Sequence, residues 1–183
     1  MPVKCRRGAL SGRPPEGVPW IWLALDMQAS PLWAARSIHA RRVIDFLMVE
    51  NMRHAGLENG NLPAPYLQLY EQGSTKRDIK RGITEARICG FVRLTKQGLR
   101  MAGGKEPSRY ALTWLVTGLG SPAVAIPTDD WRKVLVRLNS RGITSVRQVG
   151  AWVEEQLALP PDEEVDAAPY GATIRVRAAR QSR

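Results

Sequence analysis

The chain has 183 residues, 44% of them hydrophobic and 24% charged, enough apolar material for one ordinary domain with appendages or two small ones. Lys and Arg number 27 against 17 Asp and Glu, and the resulting net charge of +10 attracts polyanions, because each cation set on a phosphate releases condensed counterions. Two cysteines, Cys5 and Cys89, exclude a disulfide framework and a cysteine zinc box, and no apolar run approaches the roughly 18 residues of a membrane-spanning helix.

Residues 1–18, rich in Gly, Pro and Arg, read as a disordered basic arm without the apolar stretch of a signal peptide. Residues 19–30 are apolar, hold Trp20 and Trp22, and are expected to pack against the domain that follows. Ser30-Pro31 starts a helix with Pro at its first position. Ser37 then offers the N-cap of a longer helix, IHARRVIDFLMVENMRHAG, in which Val43, Phe46 and Leu47, with Ile44 and Met48 alongside, recur at helical spacing and Gly56 ends the run. Asn59-Gly60 signals a turn, Asn61 and Leu62 a short strand, and APYLQLYEQ a helix closed by Gly73. Ser74 is the expected cap of the next helix, TKRDIKRGITEARIC, closed by Gly90. FVRLT and YALTWL alternate as strands on either side of the polar, Gly-rich KQGLRMAGGKEPSR.

Residues 117–127 form a Gly- and Pro-bearing linker. Thr128 is the expected cap of DDWRKVLVRLNS, which ends at Gly142, and SVRQVGAWVEEQLA runs on to Pro160-Pro161. Trp131, Val134, Leu135 and Leu138 share one face of the first, and Val146, Val149, Val153 and Leu157 one face of the second, which predicts a helical hairpin over 128–160. Residues 161–183 are acidic, then basic, and read as a flexible tail. The fold class expected is mostly α with a small β-hairpin.

Two helices joined at Gln72-Gly73-Ser74 form a helix-turn-helix unit, and Gly73 can take the left-handed conformation that such a turn needs. At 100° per residue, Ile79, Gly82, Ile83, Ala86 and Gly90 fall on one stripe of the second helix, with two small residues that permit close approach. Arg77, Arg81 and Thr84 point the opposite way, Lys76, Lys80 and Arg87 lie on one flank, and Asp78 and Glu85 on the other. Ile88 falls on the exposed side and fits poorly. The major groove of B-DNA admits an α-helix, and Arg or Lys reads guanine O6 and N7 there. Residues near the start of such a helix reach the bases, so Thr75, Lys76, Arg77, Lys80, Arg81 and Thr84 are the candidate contacts. The hairpin loop that follows carries Lys96, Arg100, Lys105 and Arg109 among glycines and suits phosphate or minor-groove contact. From Lys76 to Arg109 ten cations stand against three anions, so most of the chain's excess charge lies in this unit.

The segment NGNLPAPYLQLYEQGSTKRDIKRGITEARICGFVRLTKQGLR, followed by PSRYALTWL, resembles the winged helix-turn-helix of bacterial DNA-binding proteins. It is similar to small helix-turn-helix proteins of unassigned role and to plasmid and phage replication initiators. ARICGFVRL resembles the end of a recognition helix entering the first wing strand, and PSRYALTWL the return strand. The resemblance covers about residues 30–116, within a domain over 19–116. It implies a cytoplasmic, nucleoid-associated protein that binds double-stranded DNA sequence-specifically and without a cofactor, as a homodimer, in transcriptional regulation or, second, in replication or mobile-element maintenance. A winged helix serving as a protein–protein adaptor is the alternative.

The remaining residues point elsewhere only weakly. His39 and His54 stand fifteen apart on one helix, without metal-ligand spacing. The six tryptophans are scattered and suit core packing better than base stacking. Asp129 and Asp130 suit the first turn of a helix, and Gly118-Leu119-Gly120 lacks the rest of a dinucleotide fingerprint. No nucleophile, base and orienter stand together, so no catalytic residue and no enzymatic activity are expected. Lys4, Arg6 and Arg7 of the arm and Arg175, Arg177, Arg180 and Arg183 of the tail are expected to add non-specific contacts.

Overall fold

A computed structural model describes residues 17–101, 104–118 and 125–159. The arm's Lys4, Arg6 and Arg7, the tail's arginines, the Pro160-Pro161 stop and Leu119-Gly120 lie outside the described residues. Seven helices and five strands follow one another within them: α1 (Leu25–Gln28), α2 (Pro31–Ala34), α3 (Ile38–Arg53), β1 (Leu62–Pro63), α4 (Tyr66–Glu71), α5 (Lys76–Ile88), β2 (Val92–Lys96), β3 (Arg100–Met101), β4 (Gly104–Lys105), β5 (Arg109–Leu112), α6 (Asp130–Ser140) and α7 (Val146–Ala158). About half of the described residues are helical, and a small antiparallel sheet is ordered β1-β5-β2.

The helix starts follow local chemistry. Ser30 caps α2, with Pro31 at its first position, and Ser37 caps α3, each hydroxyl accepting an amide N–H three residues on. α3 then buries Val43, Ile44, Phe46 and Leu47. Thr128 is not the cap of α6: Asp129 is, in a left-handed conformation with φ 44°, and its carboxylate accepts from the Trp131 indole at 3.1 Å instead of from the helix. Ser145 and Gln148 close a reciprocal capping box on α7.

In the sheet Leu62 pairs with Tyr110, Val92 with Leu112 and Leu94 with Tyr110, and the β2–β5 register shifts between Leu94 and Lys96. Pro63 is tolerated because β1 is an edge strand. The Gly-rich loop holds a further ribbon, β3 with β4, in which Arg100 pairs with Lys105 through the backbone. Asn59 does more than turn the chain. Its buried amide donates to the carbonyls of Leu112, Leu115 and Val116 and accepts from Leu112 N–H, pinning the sheet to the end of β5.

One buried cluster runs through the whole described chain. It joins Met27, Leu32, Phe46, Ile79, Phe91 and Trp114 to Trp131, Val134, Val149 and Trp152 of the last two helices. The sequence separates 128–160 from 19–116 by a linker, yet the two share this core. The hairpin expectation is corrected in kind: α7 packs chiefly against α2 and α5 rather than α6. Its inward face also differs, since Trp152 is buried and Val146 exposed. Residues 19–30 do pack on the core, but through Ile21, Leu23, Ala24 and Met27, while Trp20 and Trp22 remain 55% and 47% exposed. The other four tryptophans take part in the core, with Trp33 set edge-on to Phe91 and Trp114.

Candidate nucleic-acid interface

α5 is fixed first at its ends. Thr75, not Ser74, is the N-cap: its hydroxyl accepts from Asp78 N–H at 3.2 Å and donates to the Asp78 carboxylate at 2.7 Å, which also accepts from Thr75 N–H. The shift of one residue follows from Asp78, which stands three places after Thr75 and closes a reciprocal box that Ser74 could not form. The Thr75 hydroxyl is also the main reason that the Asp78 carboxyl lies below its usual 3.8. As a candidate base contact, Thr75 thus has its hydroxyl committed to the helix. At the far end Gly90 adopts φ 74°, and a Cβ there would stand 2.7 Å from the Asp130 carbonyl carbon.

The underside is the predicted stripe. Ile79, Gly82, Ile83, Ala86 and Gly90 are all buried. Gly82 lets α3 come so close that a Cβ would lie 2.4 Å from the His39 carbonyl oxygen. Glu85, expected on an exposed flank, is 1% exposed. Its carboxylate accepts from Ser37 N–H at 2.6 Å and from the Ser37 hydroxyl, capping α3 from a distance of 48 residues in sequence. No local signal marks that role, because the partner comes from another helix. Beside it the Arg36 guanidinium stacks on the Trp33 ring at 3.1 Å, and burial followed by the charge of Arg41 brings its pKa down to about 10, still charged at neutral pH.

The outward side divides in two. Lys76, Arg77, Lys80 and Arg87 are exposed and form no ion pair or side-chain hydrogen bond among the described residues. Arg81 differs: it pairs with Glu154 of α7 and is held to that helix. Thr84 and Ile88 are half-buried, and Ile88 packs against the core, which accounts for its misfit on an open face. Arg87 lies near enough to Tyr110 to lower that phenol's pKa, although burial dominates and raises it. Arg87 therefore lies beside β5, while α7 stands on the Arg81 side of the helix.

The basic hairpin is partly engaged. Lys96 donates to Glu106 at 2.8 Å, and Arg109 to the Asn61 carbonyl at 3.1 Å. Arg93 is half-buried on β2. Arg100 and Lys105 are placed by their backbones, and their side chains lie outside what is described. On α3, Arg42 donates to the Gly73 carbonyl at 3.2 Å and so braces the α4–α5 turn, where Gly73 takes φ 85°.

No protein family, no curated protein and no solved structure matches this chain. His54 caps the end of α3 and lies 3.3 Å from Glu50, and His39 lies 3.8 Å from Asp78. Among the described residues, no three His, Cys, Asp or Glu side chains converge as a metal-holding group, and no helix is long and apolar enough to cross a membrane.

Proposed function

We propose that the protein binds double-stranded DNA, with α5 as the recognition helix of a winged helix-turn-helix and the β2–β5 hairpin as its wing. One observation carries this reading. Four cations on α5, Lys76, Arg77, Lys80 and Arg87, face solvent without a carboxylate partner among the described residues, while the opposite face is locked into the core. A rigid helix with an unneutralised cationic side fits the major groove in width and in charge. The contact set is accordingly Lys76, Arg77, Lys80 and Arg87, with Thr84 at its margin and Arg81 withheld by Glu154. Phosphate contacts fall to the hairpin, through Lys96, Arg100, Lys105 and Arg109. Transcriptional regulation in the cytoplasm, by a homodimer on the nucleoid, is the role this chemistry suits, with replication or mobile-element maintenance second.

The test is duplex binding across a salt series. Affinity should fall steeply between about 50 and 200 mM salt, as for any protein making several phosphate contacts. Lys76→Ala with Lys80→Ala should weaken binding at least about tenfold with the melting temperature nearly unchanged. An absence of duplex binding at low salt would leave the adaptor reading in its place, and Mg²⁺-dependent nicking of a plasmid would make the protein a nuclease.

A further inference from the structure

The last two helices carry a second cationic surface that the recognition helix does not include. From Trp131 to Val153 there are five cations, Arg132, Lys133, Arg137, Arg141 and Arg147, and no anion. They divide by their partners. Arg132 pairs with Asp26 and Asp129, and Lys133 with Asp130, all near the start of α6. Arg137, Arg141 and Arg147, at the corner where α6 turns into α7, are exposed and pair with no carboxylate among the described residues.

Arg137 and Arg141 stand four residues apart on one side of the α6 end, where the helix dipole favours cations although the two charges repel each other. Arg147 lies in the first turn of α7, which holds no acidic residue, so its charge faces the positive end of the helix dipole. Arg147 also stands seven residues, two full turns, before Glu154 on the same face of α7. Glu154 is the residue that reaches Arg81 on α5. Arg147 therefore lies roughly 10 Å along α7 from the Arg81–Glu154 contact, on the face turned towards α5, and Arg137 and Arg141 end the helix that leads into it.

We propose that Arg137, Arg141 and Arg147 form a second contact to the same DNA, gripping the phosphate backbone that flanks the segment read by α5. This rests on the DNA-binding reading above and extends it: the footprint is longer than the helix-turn-helix unit, and the C-terminal helices belong to the interface. An external run of phosphates supplies the anions that the corner lacks. Guanidinium groups suit it, since each can hold a phosphate with two parallel hydrogen bonds.

The experiment measures the affinity of the full chain for a random duplex of about 30 base pairs across about 50–200 mM salt. Three proteins are compared with wild type: Arg137→Ala with Arg141→Ala and Arg147→Ala, the same three positions changed to Lys, and Lys76→Ala with Lys80→Ala. The triple Ala variant should lose about tenfold or more in affinity, and its log–log salt slope should fall by about 2 to 3, near 0.9 per lost phosphate contact. The triple Lys variant should keep the slope, which separates charge from any structural effect of losing arginine. If wild type and triple Ala bind alike while the α5 double variant does not, the second contact is overturned and the recognition-helix reading stands. If wild type itself binds no duplex, both fall.

Discussion

The Glu85 carboxylate accepts hydrogen bonds from both the backbone N–H and the hydroxyl of Ser37, so a residue of α5 caps the start of α3. α3 and α5 are thus clamped to each other by a carboxylate taken out of water. Glu85→Ala should destabilise the fold by about 2–3 kcal/mol in urea denaturation, the cost of losing charge-assisted bonds at a buried site. A loss below about 0.5 kcal/mol, the range of ordinary surface substitutions, would show that water replaces the carboxylate without penalty.

Gly82→Ala gives the opposite of its helix propensity. Alanine is favoured over glycine inside a helix by about 1 kcal/mol, but here the new methyl would meet the His39 carbonyl oxygen at 2.4 Å. The backbone of α3 has to move, and a net destabilisation of about 1–3 kcal/mol is expected. Equal or greater stability of the variant would mean that α3 and α5 separate easily.

Glu154→Gln removes the carboxylate that holds Arg81. Both side chains are substantially exposed, so stability should hardly change. The released guanidinium adds one cation to the α5 surface, and low-salt duplex affinity should rise by about two- to tenfold. Unchanged affinity would place Arg81 outside the interface even when unpaired.

Asp78 gives α5 a pH dependence of definite sign. Its folded pKa is depressed below 3.8, first by the Thr75 hydroxyl, so its contribution is present at neutral pH and is lost as pH falls through the folded value. Wild type should therefore lose stability on acidification below about pH 4 more steeply than Asp78→Asn. Parallel acid limbs in denaturation titrations of the two proteins would remove the carboxylate from the cap.

Cys89 is a built-in reporter of unfolding. It is 1% exposed, and burial is the main cause raising its thiol pKa far above the usual range. Since only the thiolate reacts, iodoacetamide at pH 8 should leave Cys89 of a Cys5→Ser protein unmodified until denaturant is added. Rapid labelling of the native protein would reveal an opening between α5 and its neighbours.

The fold was largely legible where the signals are local. Ser30-Pro31, Ser37, Gly73 and Gly90 place helix ends because capping and positive φ are chemistry of a few neighbouring residues. The buried stripe of α5 was legible for the same reason, through helical spacing. What escaped depends on partners distant in sequence. Glu85 looks like any flank acid until Ser37 meets it, Arg81 looks free until α7 brings Glu154, and Asn59 looks like a turn residue until β5 ends above it. The tryptophans mislead similarly, since Trp20 and Trp22 belong to an apolar run whose inward positions are held by their neighbours.

Trp131, Val134, Val149 and Trp152 close the same core that Phe91 and Trp114 open. The segment that carries α4 and α5 is therefore not portable. A fragment ending at residue 118 would bare its greasy underside and clump, and its behaviour in a binding assay would report on that stickiness instead of on recognition. Among the described residues the shared core spans Ile21 to Leu157, so point substitution, rather than truncation inside that span, keeps the interior covered.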